Sequence, residues 1–270
     1  MKLSIIQTDR IFPVVGIIAA LALLAASTSP AWAEDTHARQ PAVFQPHSHP
    51  FGASYAEWSA RWWRWTLAFP ADADPASDTA PQTSSQSGPV WFLAGAHGSA
   101  VVGGTAIVNR QLVVPEGKAL FFPALTAWSD NSGCPVYSSF SVDELRGQVM
   151  DLYGLTSEIS CTVDGLGVEG LQDPQTTPYL VESSVFSYTV ASHDNLLAAV
   201  FGEPCIPDGT TIAPAVAVGA FLMLAPLPPG PHSVHFVGIV GPLASPFVDF
   251  DLTYDIIVTR EHRARDRDQK

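Results

Sequence analysis

Ser54 to Pro70, SYAEWSARWWRWTLAFP, constrains the fold more than any other stretch, because it gathers Trp58, Trp62, Trp63 and Trp65 into one turn-bounded segment. On a 3.6-residue period Tyr55, Trp58, Trp62, Trp65 and Phe69 share one stripe, while Glu57, Arg61 and Arg64 lie opposite. Ser54 and Glu57 form an S-x-x-E capping box, so the predicted helix begins at Tyr55, and Pro70 marks its stop. A lone amphipathic helix of this length is marginal in water. Its aromatic stripe therefore needs an apolar surface to lie on. Trp63 sits at the border of the stripe and is expected to be more exposed than Trp62.

The rest of the chain supplies that surface as strands. GPVWFLAG at 88–95 reads as a buried strand. Ala106–Val114 and Ala119–Leu125, joined by Pro115–Lys118, read as a hairpin. Ser141-x-x-Glu144 is a second capping box and opens a helix with Val142, Leu145, Val149 and Leu152 on one face. Asp164-Gly165 is a hairpin-turn signal, and Asp194 is read as the cap of a short helix. Ala215–Leu224 is apolar on both faces, as a central strand is. Short strands with turn-rich joints and few helices predict a mainly β chain. The expected form is an antiparallel β-sandwich, immunoglobulin-like or jelly-roll-like, carrying the Trp-rich helix and one or two short helices, with a closed barrel as the alternative. The domain is expected over 51–258.

The ends read differently. Lys2 and Arg10, an apolar run from Ile11 to Ala26, and Ala31-Trp32-Ala33 read as a signal peptide over 1–33. Export to a secreted or periplasmic setting follows, with no membrane span after cleavage. Residues 34–50 are expected as a flexible linker, 70–88 as a loose polar stretch, and 259–270 as a charged disordered tail. The formal net charge of −13 disfavours nucleic acid and anionic lipid as partners.

Cys134, Cys161 and Cys205 allow one disulfide in an oxidising compartment and leave one thiol. The expected pair is Cys134–Cys161, with the helix between them folding back to bring the ends together. His232 and His235, three apart on a strand, point to opposite faces and are not expected to share a metal. No metal and no cofactor is expected, and no nucleophile elbow, zinc, phosphate-loop or dinucleotide motif occurs.

The candidate binding residues are Trp128, Asp130 and Asn131 in WSDNSGCP, together with Trp63. An aromatic plate beside short polar acceptors suits a sugar, whose apolar face stacks while its hydroxyls hydrogen-bond. The sequence thus predicts a non-catalytic protein that binds a glycan or another cell-envelope component. The alternative is a carbohydrate-active hydrolase or lyase using paired carboxylates.

EWSARWWRW, GPVWFLAG, VPEGKALFFP, VDG at 163–165 and LPPGPHSVHFVG together resemble a group of uncharacterised exported bacterial proteins. The resemblance spans about residues 54–258, implies a single domain, and brings no activity or site with it. LPPG-x-H-x-x-x-F is also similar to the turn and strand of many immunoglobulin-like modules, an analogy of fold alone.

Overall fold

The computed structural model describes residues 40–77, 83–97, 105–134 and 139–260. The expected signal segment 1–33, the start of the expected linker and residues 261–270 of the expected tail lie outside them. The described residues are mainly β: three α-helices, α1 (Tyr55–Leu67), α2 (Val142–Tyr153) and α3 (Leu196–Ala199), accompany two five-stranded sheets. The first sheet has the order β1 (Val90–Phe92), β3 (Ala119–Asp130), β8 (Thr211–Leu224), β6 (Leu180–Glu182), with β7 (Phe186–Thr189) also on β8. The second has the order β2 (Thr105–Pro115), β10 (Val248–Thr259), β9 (Gly230–Val240), β4 (Thr156–Val163), β5 (Leu166–Gly167).

β8 is the central strand its apolarity implied, and strand alternation sorts its side chains into two cores. Val216, Val218, Ala220, Leu222 and Leu224 join Ile159, Val234, Phe236, Leu252 and Ile256 of the second sheet in one buried cluster. Ala215, Ala217, Phe221 and Met223 point the other way and meet Tyr55, Trp58, Trp62 and Trp65 of α1. The Trp-rich helix is thus a third layer on the outer face of the first sheet. Its start is as read: Ser54 Oγ accepts the Glu57 N–H and the Glu57 carboxylate accepts the Ser54 N–H, a reciprocal cap. α2 opens on the same device at Ser141 and Glu144, and buries Leu145, Val149 and Tyr153 in the inter-sheet core. Tyr153 takes the inward place expected of Leu152.

Two expectations need correction. The sheets are not purely antiparallel: β1 runs parallel to β3, and β2 runs parallel to β10 from Thr105↔Asp249 to Pro115↔Thr259. The expected hairpin at 106–125 is instead a crossing between sheets, since β2 belongs to the second sheet and β3 to the first. Each strand gains a long partner this way, eleven paired positions for β2 on β10 alone, which the tight turn at Gly117 (φ +85°) permits. At Asp164-Gly165, by contrast, both residues adopt positive φ, 52° and 79°, as the turn signal required.

The described part of the expected linker pairs with the end of β8: the Phe44 N–H donates to Met223 O and the Ala225 N–H donates to Ala42 O.

Candidate functional site

β1 stops at Phe92 and pairs only with Ala119–Phe121, so β3 runs on past it without that neighbour. There β3 bulges between Pro123 and Leu125, at a proline that has no N–H to give a ladder. Gly219 and Gly238 make room for the bulge; a Cβ at Gly219 would lie 2.6 Å from Leu125 O, and one at Gly238 2.9 Å from Ala124 O. Beside the bulge lies a cavity of about 310 Å³. Trp62, Trp63 and Thr66 of α1 line one side, and Phe236, Val240, Val248, Phe250 and Leu252 of the second sheet line another. Ala76, the segment Gly95–His97, β3 from Pro123 to Trp128, Leu152, Tyr153, Thr156 and Phe201 complete it among the described residues. The cavity therefore lies where side chains of the two cores meet.

A row of rings frames it. Trp62 meets Trp63 edge-on at 5.1 Å, Trp63 lies 4.7 Å from Trp128, Trp128 meets Phe201 at 4.8 Å, and Phe201 meets the His97 ring at 4.9 Å. Most polar side-chain atoms in these walls already have partners. The Trp62 indole donates to Leu93 O, that of Trp63 to Thr126 Oγ1, that of Trp128 to Asp130 Oδ2, and Thr126 Oγ1 to Val218 O. The Tyr153 hydroxyl donates to Pro174 O, and burial pushes its pKa up. The Thr66 and Thr156 hydroxyls are buried and unpaired among the described residues.

Among the described residues His97 is the wall's one imidazole. Its Nε2 lies 2.7 Å from Asp74 Oδ2, and the two side chains are only 12% and 5% exposed. Asp74 is oriented in turn by the Ala76 N–H on Oδ1, at 2.8 Å. A carboxylate only accepts hydrogen bonds, so Nε2 carries a proton, and Nδ1 is an acceptor whenever the ring is neutral. Both partners sit on irregular segments, and one buried cation holds both. Arg110 reaches from β2 through the core; Nη1 donates to Ala94 O and Gly95 O, and Nη2 donates to Ala76 O at 2.8 Å. Tyr254 Oη accepts from Arg110 at 2.7 Å and donates to Ala94 O. The stretch read as too polar to order itself is thus fixed at 71–77 by Asp74 and Arg110.

The expected site residues fall into two groups. Trp63 and Trp128 line the cavity, but Trp63 is 5% exposed rather than bordering solvent, because Trp128 covers the flank of α1 that a single-faced stripe leaves open. Asp130 and Asn131 do not line it. Asp130 accepts from the Trp128 indole, the Tyr188 hydroxyl at 2.6 Å and the Ser132 N–H at 2.7 Å. Burial, and then the Asp130 charge, raise the Tyr188 pKa. Asn131 clamps Phe140 through its N–H and its carbonyl. Glu57 lies exposed at the start of α1, and Asp249 and Asp251 bond Thr105 and His235, so these acids do not converge with Asp130.

The disulfide joins Cys134 to Cys205, not to Cys161, with Cα atoms 5.6 Å apart. Cys161 follows the inward alternation Ile159, Cys161, Val163 of β4 and is buried between the sheets as a free thiol. The sequence offered little toward His97, Asp74 or Arg110. Their one mark was a histidine directly after a buried apolar strand.

No family model matches the chain, and no curated protein matches it. Among solved structures, a cysteine protease inhibitor from Entamoeba histolytica is similar at 10% identity over 57% of this chain and 96% of that one, with a TM-score of 0.19. A likeness at that score carries no argument about fold or function.

Proposed function

We propose that this is a non-catalytic binding protein, acting outside the cytosol, whose ligand is a small and predominantly apolar molecule held in the cavity beside β3. The observation that carries this reading is the cavity itself, about 310 Å³ and framed by Trp62, Trp63, Trp128, Phe201, Phe236 and Phe250. Protein interiors are otherwise packed to the density of organic crystals. Ligand sites begin at about 300 Å³, and an engineered apolar cavity of roughly half this size admits benzene. Leu152, half exposed on the rim, supplies a side chain that can move to admit a ligand. The Cys134–Cys205 bridge supports an oxidising compartment, and no helix among the described residues is long and apolar enough to cross a membrane.

An envelope glycan, the partner expected from the sequence, needs an open aromatic face. Trp63 and Trp128 cover one another, which takes support from that form of the reading. Among the described residues no carboxylate lines the cavity, so the paired-acid hydrolase gains no support either. For the fold, two facing sheets on one shared core favour a sandwich of mixed strand direction.

Titration with α-methylnaphthalene, followed by tryptophan fluorescence, tests the proposal. Saturable one-to-one binding is expected, abolished by Ala127→Leu, which fills the cavity while the melting temperature holds. Absence of saturable binding to the wild type overturns it.

A further inference from the structure

We infer that His97 is the hydrogen-bond acceptor for the cavity's ligand, and that the ligand is therefore an apolar molecule bearing one O–H or N–H donor, such as a phenol or an aryl alcohol. The inference rests on the cavity reading and sharpens it from size and polarity to chemical class. It follows from an inventory of the polar side-chain atoms in the walls. The indole N–H groups of Trp62, Trp63 and Trp128 are spent on Leu93, Thr126 and Asp130. The hydroxyls of Thr126 and Tyr153 are spent on Val218 and Pro174. Every committed donor is thus directed away from a ligand.

The Thr66 and Thr156 hydroxyl oxygens are buried without a partner among the described residues, and His97 Nδ1 is the ring nitrogen that Asp74 does not hold. Of these, Nδ1 alone has its role set by a partner: in the neutral ring, with the Nε2 proton directed at Asp74, it accepts. Asp74 Oδ2 accepts the hydrogen bond from Nε2–H at 2.7 Å, which leaves the Nδ1 lone pair facing outward from the pair. Phe201 packs against the imidazole ring at 4.9 Å, and Arg110 fixes the backbone on both sides of the contact through Gly95 O and Ala76 O. The two threonines can donate or accept as a ligand requires, so they add tolerance and not direction. A wall whose described side chains offer one fixed acceptor and no fixed free donor favours a ligand that brings the proton.

The discriminating pair is α-naphthol and α-methylnaphthalene, which match in shape and differ in one O–H. Wild-type protein is expected to bind the naphthol about tenfold more tightly, the gain of one good hydrogen bond in an apolar site. His97→Phe should bring the naphthol to the level of the methyl compound. Asp74→Asn, whose amide can turn a donor or an acceptor toward Nε2, should shrink the preference without reaching that level. Because His97→Phe could perturb folding, nitrogen NMR of the wild-type imidazole gives a second readout: the Nδ1 signal should move with naphthol and stay with the methyl compound. Equal affinity of the wild type for both compounds, with Nδ1 unmoved, overturns the inference and leaves the cavity reading intact. Failure of the methyl compound to bind overturns the cavity reading, and the inference falls with it.

Discussion

The indole rings of Trp63 and Trp128 lie 4.7 Å apart, centroid to centroid, and this one contact decides both how α1 is held and what the cavity is lined with. Trp63 would otherwise stand on the solvent side of a one-faced helix. Trp128 reaches it from the end of β3, and is itself fixed by its indole bond to Asp130 at 2.8 Å. Helix, strand end and loop are thereby joined through two aromatic side chains.

Trp63→Ala should cost about 3–5 kcal/mol, the range for truncating a buried tryptophan, and should match Trp62→Ala within error. Arg61→Ala, on the exposed face where the guanidinium rests over Trp58, is the control and should cost under about 1 kcal/mol. Urea unfolding of the three variants checks this, and a Trp63 variant as stable as the Arg61 variant would contradict it.

Thr66→Val should stabilise the ligand-free protein by about 1 kcal/mol. Valine keeps the shape and removes a buried hydroxyl that has no partner among the described residues, a group that costs about 1–3 kcal/mol when unsatisfied. A rise in melting temperature is the expected result; a fall shows the hydroxyl to be satisfied in solution.

Reduction of Cys134–Cys205 should cost about 4 kcal/mol, since the bridge closes a loop across a sequence separation of 71. Peptide mapping without reductant should recover one cross-linked pair containing these two cysteines. Recovery of Cys161 in a cross-linked peptide would refute the pairing.

Cys161 should be inert toward thiol reagents in the folded protein. Burial pushes its thiol pKa up to about 12, and the thiolate is the reactive form, so both access and ionisation oppose reaction. Unreduced protein should release no colour from a disulfide reagent at pH 8, and one equivalent after unfolding in guanidinium. Rapid labelling of the folded protein would show that the inner face of β4 opens.

Gly219→Ala should destabilise by about 1–3 kcal/mol, because its Cβ would sit 2.6 Å from Leu125 O and from Thr126, where the β3 bulge crosses central strand β8. Gly167→Ala, with nothing within 4 Å, should fall within about 0.5 kcal/mol of wild type. Equal effects at both positions would mean that the bulge relaxes.

What the sequence determined by itself was local. The caps at Ser54 and Ser141 are closed by a residue three positions on, so their hydrogen bonds need nothing from the rest of the chain. The turn at Asp164-Gly165 and the core strand at Ala215–Leu224 were legible for the same reason: backbone preference and side-chain alternation act over a few residues. Tertiary structure decided the partners. β2 left its neighbour β3 for β10, far along the chain, because pairing follows the total surface buried and not the nearest turn. Cys134 met Cys205 because loops from β3 and α3 converge, while strand alternation turned Cys161 into the core. Asp74 met His97 only because Arg110, from a third segment, satisfies the carbonyls beside both. Such a contact depends on three stretches of chain at once, and no periodicity within any one of them encodes it.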